Sequence, residues 1–163
     1  MKNPSRGFTL IEIIVVLAVV AVLATIAVPS IQGKLVRDQI VEAMKIADIA
    51  KPPISTMWSL THQLPADNAA AGLPVADKIV GNFVSSVSVE AGAIHVTFGN
   101  RANTALQGKL LTLRPAVVED APVVPPAWVC GHAEAVEKMA AKGADRTTVP
   151  DRFLPFNCMA KKQ

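Results

Sequence analysis

The sequence contains no tyrosine, and its other aromatics amount to two tryptophans and five phenylalanines in 163 residues. Surfaces that hold single-stranded nucleic acid stack successive bases on aromatic rings, so no such platform is present. Histidine is equally scarce, and His62, His95 and His132 are scattered without the short intervals that metal ligation uses. Cys130 and Cys158 are the whole cysteine complement and lie far too distant from each other for a CxxC motif. Excess charge is lacking too. Of 16 basic residues, Lys2 and Arg6 fall in the first seven positions, leaving 14 against 13 acidic ones. The pI of about 9.0 is therefore no argument for nucleic-acid binding, and the closing Lys161 and Lys162 read as a solvated tail. No catalytic constellation, metal set or cofactor motif emerges from what remains, so the chain reads as a non-enzyme.

What the sequence does have is an apolar run. Residues 8–28 hold 21 positions of which only Thr9, Glu12 and Thr25 are not hydrophobic. At 1.5 Å per residue such a run matches the roughly 30 Å hydrocarbon core of a bilayer, and it exceeds the apolar core of about 7 to 15 residues in a signal peptide. The basic flank, MKNPSRG, is expected to stay cytoplasmic and to send the rest of the chain out. Glu12 is the anomaly: a carboxylate at membrane depth costs roughly a few kcal/mol and by default marks function. No Lys or Arg lies between Phe8 and Ile31 to pair with it. Cleavage after Gly7 would place a new α-amino cation on Phe8, one turn away, and a neighbouring subunit's amine would serve equally.

The stretch RGFTLIEIIVVLAVVAVLATIAVPS resembles the N-terminal signature of type IV pilins and related prepilins. That resemblance implies cleavage after Gly7 and N-methylation of Phe8 by a prepilin peptidase, with Glu12 guiding docking into a filament. A plain bitopic anchor explains the length and leaves Glu12 and the Gly7 to Phe8 junction unexplained. A secretory signal cut near Ala24 or Ala27 conflicts with the length of the run. Favourable placement of Glu12 at a helix start is worth up to about 1 kcal/mol, less than its burial cost.

After the apolar run, Val36, Ile40, Ala43 and Ala47 recur at helical spacing while Lys34, Arg37, Asp38, Glu42, Lys45 and Asp48 fall between them. One face thus stays apolar as the other becomes wet, and that half of the helix is expected to pack on a soluble domain. Pro29 and Gly33 mark where the helix should bend or loosen. In the pilin family the corresponding proline lies in a segment able to lose helicity in the assembled filament. Pro52 and Pro53 predict a second interruption, with Lys51 pushed from helical angles and Pro53 restarting the helix, and with Trp58 anchoring it on the domain.

The segment LPADNAAAGLPVADKIVG reads as a loop with one short helical turn, and it resembles the connection between helix and sheet in pilins. Apolar alternation then predicts three strands around Val87 and Val89, around Ile94, Val96 and Phe98, and around Leu111 and Leu113. They are separated by Ala91-Gly92 and by a polar loop, and should form an antiparallel meander with one buried face. His95, alternating with Ile94 and Val96, is placed on the solvated face. AEAVEKMAAK has helical character, with a Glu134 to Lys138 pair and Gly143 as its stop. Two cysteines in an exported chain read as one disulfide, Cys130 to Cys158, and WVCG with VPDRFLPFNC resembles the disulfide-bounded end of type IVa pilins.

The expected fold is α+β: a pilin fold, with a long N-terminal helix packed on an antiparallel sheet and a C-terminal disulfide-bounded loop. The expected divisions are a cleaved leader 1–7, a transmembrane and filament-core helix 8–28, its amphipathic continuation 29–62, a connecting loop 63–82, the sheet 83–129 and the C-terminal region 130–163. The resemblance implies a subunit held in the inner membrane and polymerised into a surface filament that supports adhesion, motility or DNA uptake. Its partners would be copies of itself, the prepilin peptidase, the pilus assembly machinery and minor pilins. The alternatives are a minor pilin, a type II secretion pseudopilin, or a membrane-anchored adhesive or DNA-binding module; DNA binding has no support in the residues. Pseudopilins commonly hold the corresponding end with calcium, and the acidic residues here are too dispersed for such a site.

Overall fold

The computed structural model describes residues 7–161, except for the side chains of residues 26–32. Lys2, Arg6, Lys162 and the side chain of Pro29 therefore lie outside the described residues. The chain divides into two units, the first ending at Leu35 and the second beginning at Val36.

Helix α1, Leu10–Ala47, starts in the first unit and ends in the second. Thr9 opens it: its carbonyl accepts the Ile13 N–H at 3.3 Å and its hydroxyl accepts the Glu12 N–H at 3.3 Å. The first is the opening intrahelical bond, and the second satisfies one of the otherwise unpaired first-turn donors. The Thr25 hydroxyl donates to the Val22 carbonyl at 2.7 Å, so this polar residue is accommodated on an apolar helix without an outside partner. The helix is unbroken at Pro29 and Gly33, since one proline withdraws a single donor and leaves the flanking bonds in place. The membrane span expected over residues 8–28 is not recovered: among the described residues no helix is long and apolar enough to cross a membrane. The side chains of residues 26–28, the end of that expected span, lie outside the described residues.

In the second unit, Val36, Ile40, Ala43 and Ala47 are all buried, as their spacing predicts. Helix α2, Lys51–Thr61, follows after a tight turn. Lys51 is helical, contrary to expectation, and the turn explains why. The amides of Asp48, Ile49, Ala50 and Lys51 each reach back three residues instead of four, which tightens the chain ahead of Pro52 and Pro53. Both prolines then sit in the first turn of α2, where no N–H is needed. Ile54 and Trp58 are its buried residues, and His62 ends it in the left-handed region at φ 58°.

The sheet has strands β1 Val84–Glu90, β2 Ala93–Phe98, β3 Leu110–Val117, β4 Ala127–Cys130 and β5 Ala140–Ala141. Strands β1 to β4 are neighbours in sequence order and all pairs are antiparallel; β5 pairs with the far end of β3. The β1 to β2 turn places Ala91 and Gly92 both at positive φ, as a two-residue hairpin requires. Val87, Val89, Ile94, Val96, Phe98, Leu111 and Leu113 form one core with the helical residues from Val36 to Ile54. Leu106, inside the expected polar loop, also enters this core. Strand β4 had no alternating signal, because Trp128 and Val129 stand among prolines.

Two further expectations are corrected. His95 is 2 % exposed, so it does not lie on a solvated face. The sheet's second face is covered by the chain returning from β5, which period-two alternation cannot register. Residues 133–142 are not helical; they run as turn and extended chain into β5. Lys138 has φ 70°, which no helix interior accepts, and pairing of Ala140 and Ala141 with β3 overrides the local propensity.

Candidate functional site

Two regions carry the features singled out in the sequence. In the first unit, Gly7 and Phe8 precede α1, and the following side chains as far as Thr25 are all exposed. Phe8 and Leu10 are 77 % and 80 % exposed. Each such side chain gains about 1.5–3 kcal/mol on full burial, so a helix apolar on every side is stable only in lipid or among other helices. Glu12 sits on this surface in the third helical position, and Thr-x-x-Glu is the spacing of a capping box. Thr9 is thus a residue that sequence reasoning passed over, although that four-residue pattern signals it.

The second region surrounds the disulfide. Cys130 and Cys158 are bonded, with Cα atoms 4.5 Å apart, and both are buried. The His132 N–H donates to the Cys158 carbonyl at 3.0 Å, tying the chain after β4 to the C-terminal turn. Gly131 has φ 55°, and a Cβ there would lie 2.7 Å from the Cys158 oxygen, so only glycine fits. His132 Nδ1 donates to Asp145 Oδ2 at 2.7 Å. Burial opposes ionisation of Asp145, but bonds from Thr147 and His132 outweigh it and hold the carboxyl below its usual range. Arg114 Nη2 donates to the Gly131 and Ala133 carbonyls at 3.2 and 2.8 Å. Arg37, on the second-unit end of α1, donates to the Arg152 carbonyl at 2.9 Å.

The connecting loop is fastened by Asn68, which the sequence reading left unremarked. Its amide donates to the Pro74 and Val87 carbonyls, and its oxygen accepts the Val89 N–H. Among the described residues, no group of three His, Cys, Asp or Glu side chains converges as a metal set. Gly7, Phe8 and Glu12 thus lie together at the start of α1, Pro52 and Pro53 start α2, and the two cysteines close the C-terminal region.

A family model described as Pilin (bacterial filament) matches residues 36–159, and one described as a prokaryotic N-terminal methylation motif matches residues 2–28. The chain is 33 % identical to the type IV major pilin protein PilE1 of Neisseria gonorrhoeae over 165 residues, covering 97 % of this chain and 89 % of that one. It is 37 % identical to a type IV major pilin protein PilE of the same organism, over 81 % of this chain and 77 % of that one. With the fimbrial protein EcpC of Eikenella corrodens it shares 39 % identity, over 70 % of this chain and 76 % of the relative. A helix whose amphipathic half packs on an antiparallel sheet, a disulfide-closed C-terminal region and these matches lead to one conclusion: the chain belongs to the type IV pilins, structural proteins that polymerise into filaments and are not enzymes.

Proposed function

We propose that this chain is a major subunit of a type IV pilus, held in the inner membrane by residues 8–28 and then packed into a surface filament. The observation that carries the reading is the exposed apolar start of α1, interrupted only by Thr9, Glu12 and Thr25, in a chain matched by the N-terminal methylation motif. In this reading a prepilin peptidase cuts after Gly7 and methylates the Phe8 amine. Residues 8–28 become the filament core, and the Phe8 amine of one copy meets Glu12 of another, which sets the stagger between them. Pro29 and Gly33 are where the helix loosens on assembly, a Cβ on Gly33 meeting nothing within 4 Å. Minor pilins and the assembly machinery are the further partners, and adhesion, motility or DNA uptake the uses.

The relatives named as major pilins favour the major-subunit reading over a minor pilin or pseudopilin. Protein sheared from the cell surface tests it. The chain should dominate that fraction, with an intact mass and N-terminus corresponding to N-methylated Phe8. Retention of Met1 in fibres would remove the processing step, and a trace level would return the chain to the minor class.

A further inference from the structure

The chain between β5 and Val149 forms a strap across the second face of the sheet. One end is tied by the ladder of Ala140 and Ala141 to β3 and by the Lys142 N–H to the Pro115 carbonyl at 2.8 Å. The other end is tied by Val149, 2 % exposed, and beyond it by the disulfide at Cys158. Between these anchors the attachments are largely polar. The Arg146 N–H donates to the Thr112 hydroxyl at 3.0 Å, and the Thr112 N–H donates to the Thr147 hydroxyl at 3.1 Å. The Leu110 N–H donates to the Thr148 hydroxyl at 2.8 Å, and the Arg146 guanidinium to Glu90 at 2.6 Å.

Beneath the strap lies His95, whose Nδ1 is 3.0 Å from the Thr112 hydroxyl. A hydroxyl carries one hydrogen and two lone pairs, so while accepting the Arg146 amide Thr112 still has a hydrogen to offer His95 Nδ1, and a neutral ring is accommodated there. The neighbours of His95 are Ser88 and Glu90 from β1, Thr112 from β3 and Asp145 and Arg146 from the strap. Arg114, two positions along β3, is turned to the Gly131 and Ala133 carbonyls. A proton on His95 would put a buried cation under the strap near Arg146, in a site with little water to solvate it.

We propose that the strap is an acid-released latch: protonation of buried His95 expels residues 143–148 from the sheet, while β5 and the disulfide keep the segment tethered and β1 to β4 stay paired. Burial first, and Arg146 second, lower the readiness of His95 to take a proton, consistent with this arrangement. A group whose folded affinity for protons is lowered contributes stability that is complete above its unfolded value and declines as pH falls through it, here below about 6.5.

The test is site-resolved amide exchange on the detergent-solubilised full chain at about pH 7.5 and about pH 5, corrected for intrinsic rates. Protection of Arg146 and Thr112 should fall by at least about threefold on acidification while Val87 and Val96 change little. His95→Gln, which cannot titrate but retains an amide acceptor for Thr112, should abolish that dependence, and His132→Gln should retain it. The imidazole signal of His95 in the unaltered protein decides the matter if the variant does not fold. Titration of His95 with the Arg146 amide still protected would overturn the latch. So would a uniform loss of protection, or a dependence that disappears with His132.

Discussion

The side-chain oxygen of Asn68 accepts the Val89 N–H at 2.6 Å, fixing the connecting loop to strand β1 across 21 positions of sequence. The same side chain donates to the Val87 and Pro74 carbonyls at 3.0 and 2.8 Å, and the residue is buried. Asn68→Ala leaves three backbone groups short of a partner, of which those of Val87 and Val89 are buried, and each unsatisfied buried group costs about 1–3 kcal/mol. A loss of about 2–4 kcal/mol is expected in denaturant melts, with Asn68→Asp intermediate because it keeps only the acceptor. A loss below about 0.5 kcal/mol for Asn68→Ala would mean that the loop is held elsewhere.

The bond between Cys130 and Cys158 closes a sequence separation of 28. In the chain-entropy account such a loop contributes about 3–4 kcal/mol by restricting the unfolded chain. Reductant should lower the melting temperature by roughly 10 °C. Chelator should leave it unchanged. The reverse pattern would return the pseudopilin alternative to favour.

Gly143 adopts φ 81°, and a Cβ on it would lie 2.6 Å from the Ala93 Cβ. Gly143→Ala therefore combines left-handed strain with a collision against a packed strand, and should destabilise by at least about 1 kcal/mol. Gly33→Ala is the contrasting case: with open space around it, it should raise the stability of the helix by about 0.5–1 kcal/mol. Melting both variants beside the parent protein checks the opposite signs.

The Asp145 carboxyl is held below the usual carboxylate range, since bonds from Thr147 and His132 outweigh the opposing effect of its burial. For a depressed carboxyl, the stability it contributes is complete above the unfolded value and is lost as pH falls through the folded one. Stability of the C-terminal region should thus decline below about pH 4, and Asp145→Asn should flatten that part of the curve. Acid unfolding profiles of the two proteins measure it. An unchanged profile between about pH 4 and pH 2 would assign the loss to other carboxyls.

Glu12→Gln tests the proposed pairing with a neighbouring Phe8 amine. Membrane extraction should be unchanged, while filament yield at matched protein level drops by about tenfold or more, equivalent to about 1.4 kcal/mol per contact. Thr9→Val separates the local role of this turn, because it removes only the cap seen at the Glu12 amide. Normal piliation in Glu12→Gln would leave Glu12 as a helix-start residue alone.

Local patterns in the chain encode much of this fold. Val36, Ile40, Ala43 and Ala47 lie on one face because helical spacing fixes direction, and they are buried against strands whose own alternation named Val87, Val89, Ile94, Val96, Leu111 and Leu113. The N-terminal signature was equally legible, since charge, junction and apolar run occupy consecutive positions. Tertiary structure alone decided the fates of His95, Asn68 and residues 133–149. An alternating strand states that it has two faces but not what returns to cover the second, and so His95 lies buried beneath a strap that begins some fifty positions later. Residues 133–142, helical by composition, became turn and strand because β3 offered unpaired backbone at Ala116 and Val117, and satisfying those groups outweighs a propensity of less than about 1 kcal/mol per residue.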